Sequence, residues 1–456
     1  MEAPIVKNQN YIMVVSSFGS DGEGVGRING FTVFVPGAIK GEKVEVRIVK
    51  VNKSFAYGKL VMIIEASPAR VEPFCESYKY CGGCILQHMS YNRQLEFKAE
   101  KVEEALKRIG RIENAVVHDT IGMDDAFAYR NKAQFPVGQA DGLPQIGFYY
   151  PRSHRVVDLP ECGIQHEMCN VVMDVMRNVI KENEIPVYDE ATCEGVIRHI
   201  VVRVGYRTGD VMVVVATNGK SLPGREIIVG ALKERITGLK SVVQNINDKD
   251  TNVILGKENV TLYGTDTIED YIGEFRFKVS PLSFLQVNPR QTETLYGKAL
   301  EYAGLKGHET VFDLYCGIGT ISLFLCRKAY RVYGVESVPE AVEDARENAR
   351  INGIENVEFV VGQAERVVSE LYGRGIKADV VVVDPPRKGC DEELLRTVAE
   401  MGVERVVYVS CNPATLARDL GYLQERGYRV VEVQPVDMFP HTGHVETVVL
   451  MSRVKE

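Results

Sequence analysis

The chain has 456 residues, a formal charge of −8 and ten cysteines. Its length allows about three domains with sizeable cores, and its acidic balance argues against a protein whose whole surface binds nucleic acid, though not against local basic patches. No apolar stretch is long enough to span a membrane. The leading Met-Glu-Ala-Pro-Ile-Val-Lys-Asn lacks the basic and apolar regions of a signal peptide. A cytoplasmic chain is expected, with cysteines acting as thiols, metal ligands or catalysts rather than as a disulfide framework.

Residues 9–66 come first. The runs Tyr11–Val15, Gly22–Ile28, Phe31–Val35, Glu45–Val51 and Gly58–Ile64 are rich in β-branched residues and punctuated by glycine. Short strands at this spacing predict a small barrel. Residues 1–70 hold nine Lys/Arg against six Asp/Glu, a balance of +3 inside an acidic chain. Charge alone slightly favours an ordinary soluble barrel. The sharper reading is an oligonucleotide-binding barrel.

Pro68 to Pro73 reads as a linker, and residues 74–90 hold Cys75, Cys81 and Cys84. Three cysteines this close point to metal or redox work, and a fourth thiolate must come from elsewhere: Cys162, Cys169 or Cys193. Cys162 stands in the polar turn Leu-Pro-Glu-Cys-Gly, whereas Cys169 lies in an amphipathic helix where a buried thiol is expected. Spacing does not separate zinc from an iron–sulfur cluster, and the run is not the C-x-x-x-C-x-x-C of radical enzymes. Ser90 is placed to cap a helix from Tyr91 to Ile109, with Leu95, Val102, Leu106 and Ile109 on one face and Gly110 as its stop. Residues 128–280 show mixed strand and helix with many turns, and from about 291 helix and strand alternate as in an α/β domain.

Within that last part, Val311-Phe-Asp-Leu-Tyr-Cys-Gly317-Ile-Gly319 runs from a strand into a glycine turn. Glu336 ends the next strand, Asp384-Pro385-Pro386 follows the run Val380–Val383, and Ser410-Cys411-Asn412-Pro413 follows Val406–Val409. These strand ends should open into one crevice of a doubly wound sheet. Glycine turn, acid and Asp-Pro-Pro in that order point to S-adenosylmethionine. The loop lacks the third glycine of a dinucleotide fingerprint. Arg387 replaces the aromatic residue that amino-group methyltransferases often carry after the double proline. Cys316 and Cys326 read as packing thiols.

Cys411, with Glu446 in His441-Thr-Gly-His444-Val-Glu446-Thr, suits a particular chemistry. Carbon 5 of uracil is a poor nucleophile. A thiolate adding to carbon 6 turns the ring into an enolate that can take a methyl at carbon 5, after which a base must remove the carbon-5 proton. His441 and His444 are loop residues by default and general acids at best.

With these residues in view, the chain resembles the RNA uracil-5-methyltransferase family, specifically the bacterial ribosomal-RNA branch with an iron–sulfur cluster. The resemblance rests on Phe284-Leu-Gln286-Val-Asn288, Ser410-Cys411-Asn412-Pro413 and His444-Val-Glu446-Thr, and it covers essentially the whole chain. It implies that Cys411 is the nucleophile and Glu446 the base. It implies that Gln286, Tyr315, Gly317, Gly319, Thr320, Glu336, Gln363 and Asp384 form the S-adenosyl-L-methionine site. Tyr315 is often phenylalanine in the family, and Gln363 stands where an aspartate is usual. Cys75, Cys81, Cys84 and Cys162 match the ligands of a [4Fe-4S] cluster, with Phe284 packing beside the target base and Arg130 and Lys132 as candidate RNA contacts.

The implied fold is α/β: a Rossmann-like methyltransferase domain (91–125 and 281–456), an OB-like TRAM barrel that binds RNA (1–66) and a mixed α+β central domain with the cluster (67–90 and 126–280). The expected activity is methylation of a uridine in 23S rRNA by a monomer. The rivals are the same reaction on tRNA, a cytosine-5-methyltransferase, whose Pro-Cys nucleophile lies in a different motif, and a non-enzymatic RNA-binding protein, which the Cys411 and Glu446 motifs speak against.

Overall fold

Alternation of apolar and polar residues builds the first unit of the computed structural model, which describes residues 4–454. The terminal residues 1–3 and 455–456, included in the first and last expected domains, lie outside the described residues. In β4 (Lys43–Val51), Val44, Val46 and Ile48 are fully buried while Arg47 faces water. With β1 (Asn10–Phe18), β2 (Gly24–Ile28), β3 (Phe31–Val35) and β5 (Phe55–Glu65) it closes a barrel in the order β1-β2-β3-β5-β4. Closure leaves no sheet edge, because β4 pairs back onto β1.

Next comes α1 (Tyr91–Ala105), shorter than the sequence predicts. A widened turn, Leu106–Gly110, follows it and ends at Arg111 with φ +54°. The extra residue in that turn rotates the chain off the apolar face, so Ile109 is 49% exposed instead of packed. Ser90 makes no side-chain cap bond. The buried face of α1 holds Gln94 and Lys98 beside Phe97 and Val102. Beyond it lies the two-residue strand β6 (Val116–Val117).

The middle of the chain forms a seven-stranded sheet from β7 (Lys132–Ala140), β8 (Leu143–Tyr149), β9 (Val156–Asp158), β10 (Ile197–Val204), β11 (Val211–Thr217), β12 (Leu239–Ile246) and β13 (Glu258–Gly264), in the order β13-β12-β11-β10-β7-β8-β9. The helices α2 (Glu167–Glu182) and α3 (Arg225–Arg235) pack against it. Cys169 is fully buried in α2, as its amphipathic setting predicts. A hairpin of β14 (Ile268–Ile272) and β15 (Phe275–Val279) leads onward.

The remaining chain alternates α4 (Pro289–Ala303), β16 (Thr310–Leu314), α5 (Thr320–Cys326), β17 (Arg331–Glu336), α6 (Pro339–Ile351), β18 (Val357–Val361), α7 (Ala364–Gly373), β19 (Val380–Val383), α8 (Glu392–Met401), β20 (Arg405–Ser410) and α9 (Pro413–Gln424), then ends in the antiparallel pair β21 (Tyr428–Val436) and β22 (Glu446–Arg453). Its sheet has the order β18-β17-β16-β19-β20-β22-β21-β6. The run Val380–Val383 is buried throughout, as expected of a parallel strand covered on both faces by helices. The edge strand β6 runs parallel to β21, and α1 packs near α9 and β21.

Candidate active site

The sheet reverses its winding between β16 and β19, which opens a crevice at the carboxyl ends of those strands. Past Leu314 the chain turns through Tyr315 (φ +67°), Gly317 (+54°) and Gly319 (+84°) into α5. A Cβ on Gly319 would lie 2.9 Å from the Phe359 ring, so this position needs glycine for both space and backbone freedom. Glu336 ties the turn to the next strand. One carboxylate oxygen accepts the Gly317 N–H at 3.2 Å and the other accepts the Val338 N–H at 2.9 Å.

A cavity of about 890 Å³ lies over this turn. Gln286, Tyr315, Gly317, Thr320, Glu336, Gln363 and Asp384 all border it, whereas Gly319 sits behind the wall as the residue before α5. Phe284 stands at the cavity with 68% of its surface exposed. Its loop is pinned by Arg203, which donates to Pro281 O (3.1 Å) and Ser283 O (2.5 Å). Arg130 borders the same cavity and stacks its guanidinium 5.9 Å from the centre of the Phe439 ring. Lys132 does not reach it. It lies in a small crevice with Arg203 and Asp270, and burial, with the charges of Arg203 and Arg130, pulls its ammonium down to about 7.

Cys411 follows β20 at the rim, half-buried. Asn412 caps α9 and also donates to Arg387 O at 3.0 Å, which fastens the Asp-Pro-Pro-Arg loop to the cysteine loop. Glu446, only 4% exposed, opens β22 on the same cavity. Burial pushes Asp384 up to about 7 and holds Glu446 well above the usual carboxylate range, where the Asp384 charge reinforces the effect and Arg387 opposes it. The Cys411 thiol is pushed up to about 11 by burial and then by Glu446 and Asp384, against the pull of Arg387.

A second cavity, about 840 Å³, separates the barrel from α1 and the cysteine loop. Arg27 and Phe34 line it from the barrel, and Lys101 and Arg108 from the α1 side. Cys411, Arg387 and His444 border both cavities, so the thiol stands at the doorway between them. Burial drops His444 to about 4, which leaves its imidazole neutral at pH 7.

The far wall of the first cavity carries Cys75, Cys81, Cys84 and Cys162. Burial lifts Cys84 to about 12 and Cys162 to about 11, with further upward pressure on each from neighbouring cysteines of this set. The short turn Glu76–Lys79 between the first two cysteines buries none of its residues. Among the described residues, no group of three or more His, Cys, Asp or Glu side chains is set to hold a single metal ion.

The sequence profile of the tRNA (uracil-5-)-methyltransferase family matches residues 90–454, and that of the TRAM domain matches residues 13–61. The chain belongs to this methyltransferase family. It is 54% identical over 451 residues to an uncharacterized RNA methyltransferase of Clostridium tetani, covering 99% of this chain and 98% of the relative. A Halalkalibacterium halodurans RNA methyltransferase, also uncharacterized, is 50% identical over 450 residues, covering 99% of this chain and 98% of the relative. Among solved structures, the Pyrococcus abyssi tRNA (uracil-54, C5)-methyltransferase in complex with S-adenosyl-L-homocysteine superposes with a TM-score of 0.78 at 29% identity, over 97% of this chain and all of that one.

The enzyme is thus an S-adenosylmethionine-dependent RNA methyltransferase with a TRAM barrel. At and beneath its cavity lie groups that sequence reasoning did not single out. Tyr296 on α4 reaches Thr320 with its hydroxyl (3.0 Å). Asp313 lies buried beneath the glycine turn, bonded to Ser322 and pushed up to about 7 by burial. The run Val311-Phe-Asp-Leu could have flagged Asp313, since a carboxylate in an apolar strand needs a reason to be there.

The raised thiol sets a pH dependence. Without ligands, alkylation of Cys411 should be slow at pH 7 and accelerate roughly tenfold per pH unit towards pH 10 as the thiolate fraction grows. Arg387→Ala should slow it further by removing the opposing positive charge. Iodoacetamide labelling at single-cysteine resolution by mass spectrometry checks this, and a flat profile would contradict the buried acidic setting.

Proposed function

We propose that this enzyme methylates carbon 5 of a uridine in 23S rRNA through a covalent adduct between Cys411 and uracil carbon 6. The observation that carries the reading is the position of Cys411 at the doorway between the two cavities, with Glu446 and Asp384 behind it. An RNA strand lying in the barrel cavity would extrude its target base past Cys411 into the inner cavity, where the exposed ring of Phe284 offers a stacking face. On this reading the chain divides into the barrel (1–66), the central unit (67–90 and 126–280) and the methyltransferase unit (91–125 and 281–456).

S-adenosylmethionine, when bound, supplies a methyl group on a sulfonium centre. Gln286, Tyr315, Thr320, Glu336, Gln363 and Asp384 would hold it, with Glu336 at the ribose diol, as an acid about twenty residues past the glycine turn suits. Buried carboxyl groups on the floor favour a cationic ligand, because only a positive charge lets them ionise together. The Cys411 thiol gives up its proton to water at the doorway, the thiolate adds to carbon 6, and the carbon 5–carbon 6 π pair becomes an enolate whose charge the nearby Arg387 guanidinium would offset. After carbon 5 is methylated, Glu446 removes the carbon-5 proton and the thiolate leaves, restoring the aromatic ring.

Cys411→Ala should abolish transfer. Glu446→Gln should lower turnover by about 10²–10⁴-fold and accumulate methylated RNA joined to Cys411, visible as a protein band shifted by bound RNA. Normal product release from the glutamine variant would remove Glu446 from the mechanism.

The rRNA assignment is supported by the pairing of barrel and cysteine wall, and the tRNA reading by the full-length match to the archaeal tRNA enzyme. Mapping 5-methyluridine in both RNA classes from a deletion strain decides between them, and loss confined to 23S rRNA is the expected result.

The four wall cysteines fit a [4Fe-4S] cluster in donor chemistry, since four thiols, three from residues 74–90 and Cys162 from the turn before α2, border one cavity. Bound there, the cluster would pin residues 74–90. Anaerobically purified protein should be brown. Cys162→Ser should lose iron while Cys169→Ser, in the α2 core, should retain it. Colourless protein loaded with zinc would overturn the assignment.

A further inference from the structure

Val436 and Glu446 face each other as the last pair of β21 and β22, and the loop between them runs from Asp437 to Val445. Its carbonyls are taken up by groups from distant parts of the chain. Gln291 donates to Asp437 O (3.1 Å) and Asn288 to Met438 O (3.0 Å). The Tyr129 hydroxyl donates to Pro440 O (3.0 Å) and Lys101 to Gly443 O (2.7 Å). The backbone N–H groups of Ile85 and Leu86 both donate to His441 O at 3.0 Å, and Gln94 accepts the His441 N–H at 2.9 Å. His441 itself sits at φ +67°, a left-handed conformation that a non-glycine residue keeps only when its surroundings enforce it.

Lys98 is the centre of this arrangement. It lies on α1 with 0% exposure, its ammonium bonded to the Asp437 carboxylate, also 0% exposed, and to Phe439 O at 3.0 Å. Asp437 further accepts the Tyr91 hydroxyl (3.0 Å) and the Phe439 N–H (3.1 Å). One buried side chain thus grips both the first residue of the loop and the residue two positions on. A buried ion pair kept only for stability can often be replaced, both partners together, by apolar residues without loss. This pair is instead built into the turn that leads to Glu446.

We infer that Lys98 is a positioning residue for Glu446, holding the loop from Asp437 so that the carboxyl group meets the carbon-5 proton of the methylated adduct. The inference rests on the reading of Glu446 as the base. Lys98 acts after methyl transfer and touches neither cavity.

The test compares Lys98→Met, the double variant Lys98→Met/Asp437→Leu, and Glu446→Gln, on the same RNA with the same cofactor. The double variant removes both charges, so the core keeps no unpaired ion. Both Lys98 variants should bind RNA and cofactor with unchanged affinity, turn over about 100-fold more slowly, as displacement of a reacting group can cause, and accumulate the methylated adduct as Glu446→Gln does. Adding Lys98→Met to Glu446→Gln should slow turnover no further, because both act on one step. Three results would overturn the inference. If Glu446→Gln traps adduct but both Lys98 variants release product normally, Lys98 has no role in the step and the base assignment stands. If the double variant turns over normally while Lys98→Met is impaired, Lys98 only balances the Asp437 charge. If Glu446→Gln releases product normally, the base assignment fails and this inference fails with it.

Discussion

Asp384 and Glu446 border the cavity, Asp313 lies buried beneath the glycine turn beside it, and removal from water opposes the charge of all three. In solvent, three carboxyl groups would be ionised and unremarkable at pH 7. Here burial opposes their charge, the Asp384 charge further opposes that of Asp313 and Glu446, and burial with Glu446 and Asp384 pushes the Cys411 thiol up to about 11. Positive charge arriving in the cavity would favour the ionised forms of these groups. Arg387, fastened to the cysteine loop through Asn412, opposes the upward shifts of both Cys411 and Glu446.

Much of this was legible in the sequence, because the relevant signals are short in range. β-Branched runs punctuated by glycine mark the barrel, buried apolar runs ending in glycine, Asp-Pro-Pro or Asn-Pro turns mark the parallel strand ends, and Glu336, Asp384 and Cys411 stand at those ends. The four cysteines share one wall, although spacing alone left the fourth open among Cys162, Cys169 and Cys193. What could not be read is whatever depends on partners far along the chain. Lys98 and Gln94 look like solvated helix residues until Asp437 and His441, 339 and 347 positions away, arrive to bury them. The widened turn after Ala105 likewise escaped notice, since one extra residue per turn leaves no mark in the apolar spacing. Lys132, a candidate RNA contact in the run Tyr129–Lys132, lies in a crevice with Arg203 and Asp270, away from the cavity that Arg130 borders.

The cysteine-rich segment and the loop before Glu446 form one mechanical unit. Ile85 and Leu86, immediately after Cys84, donate their N–H groups to His441 O, and Tyr78, within the same segment, bonds to Ile85 O and to the buried His88. A segment with few core residues gains order from such bonds only if it is itself anchored. The Gly82 N–H, donating to Tyr149 O of β8 at 2.9 Å, ties the segment to the central sheet, and Gln87 accepts the Cys75 N–H (3.2 Å) within it.

The edge strand β6 bears on how the molecule comes to exist. Val116 and Val117 complete a sheet whose adjoining strand, β21, follows the whole central sheet in the chain. A growing chain can close its barrel once β5 is made, but α1 must wait with Gln94 and Lys98 uncovered until Asp437 and His441 emerge. Bringing together segments this far apart is slow compared with closing local contacts. Between those two moments lies the whole central sheet, free to fold first as a spacer. Competence for transfer should therefore arrive late and all at once, so that truncated translation products carry a folded barrel and no assembled site.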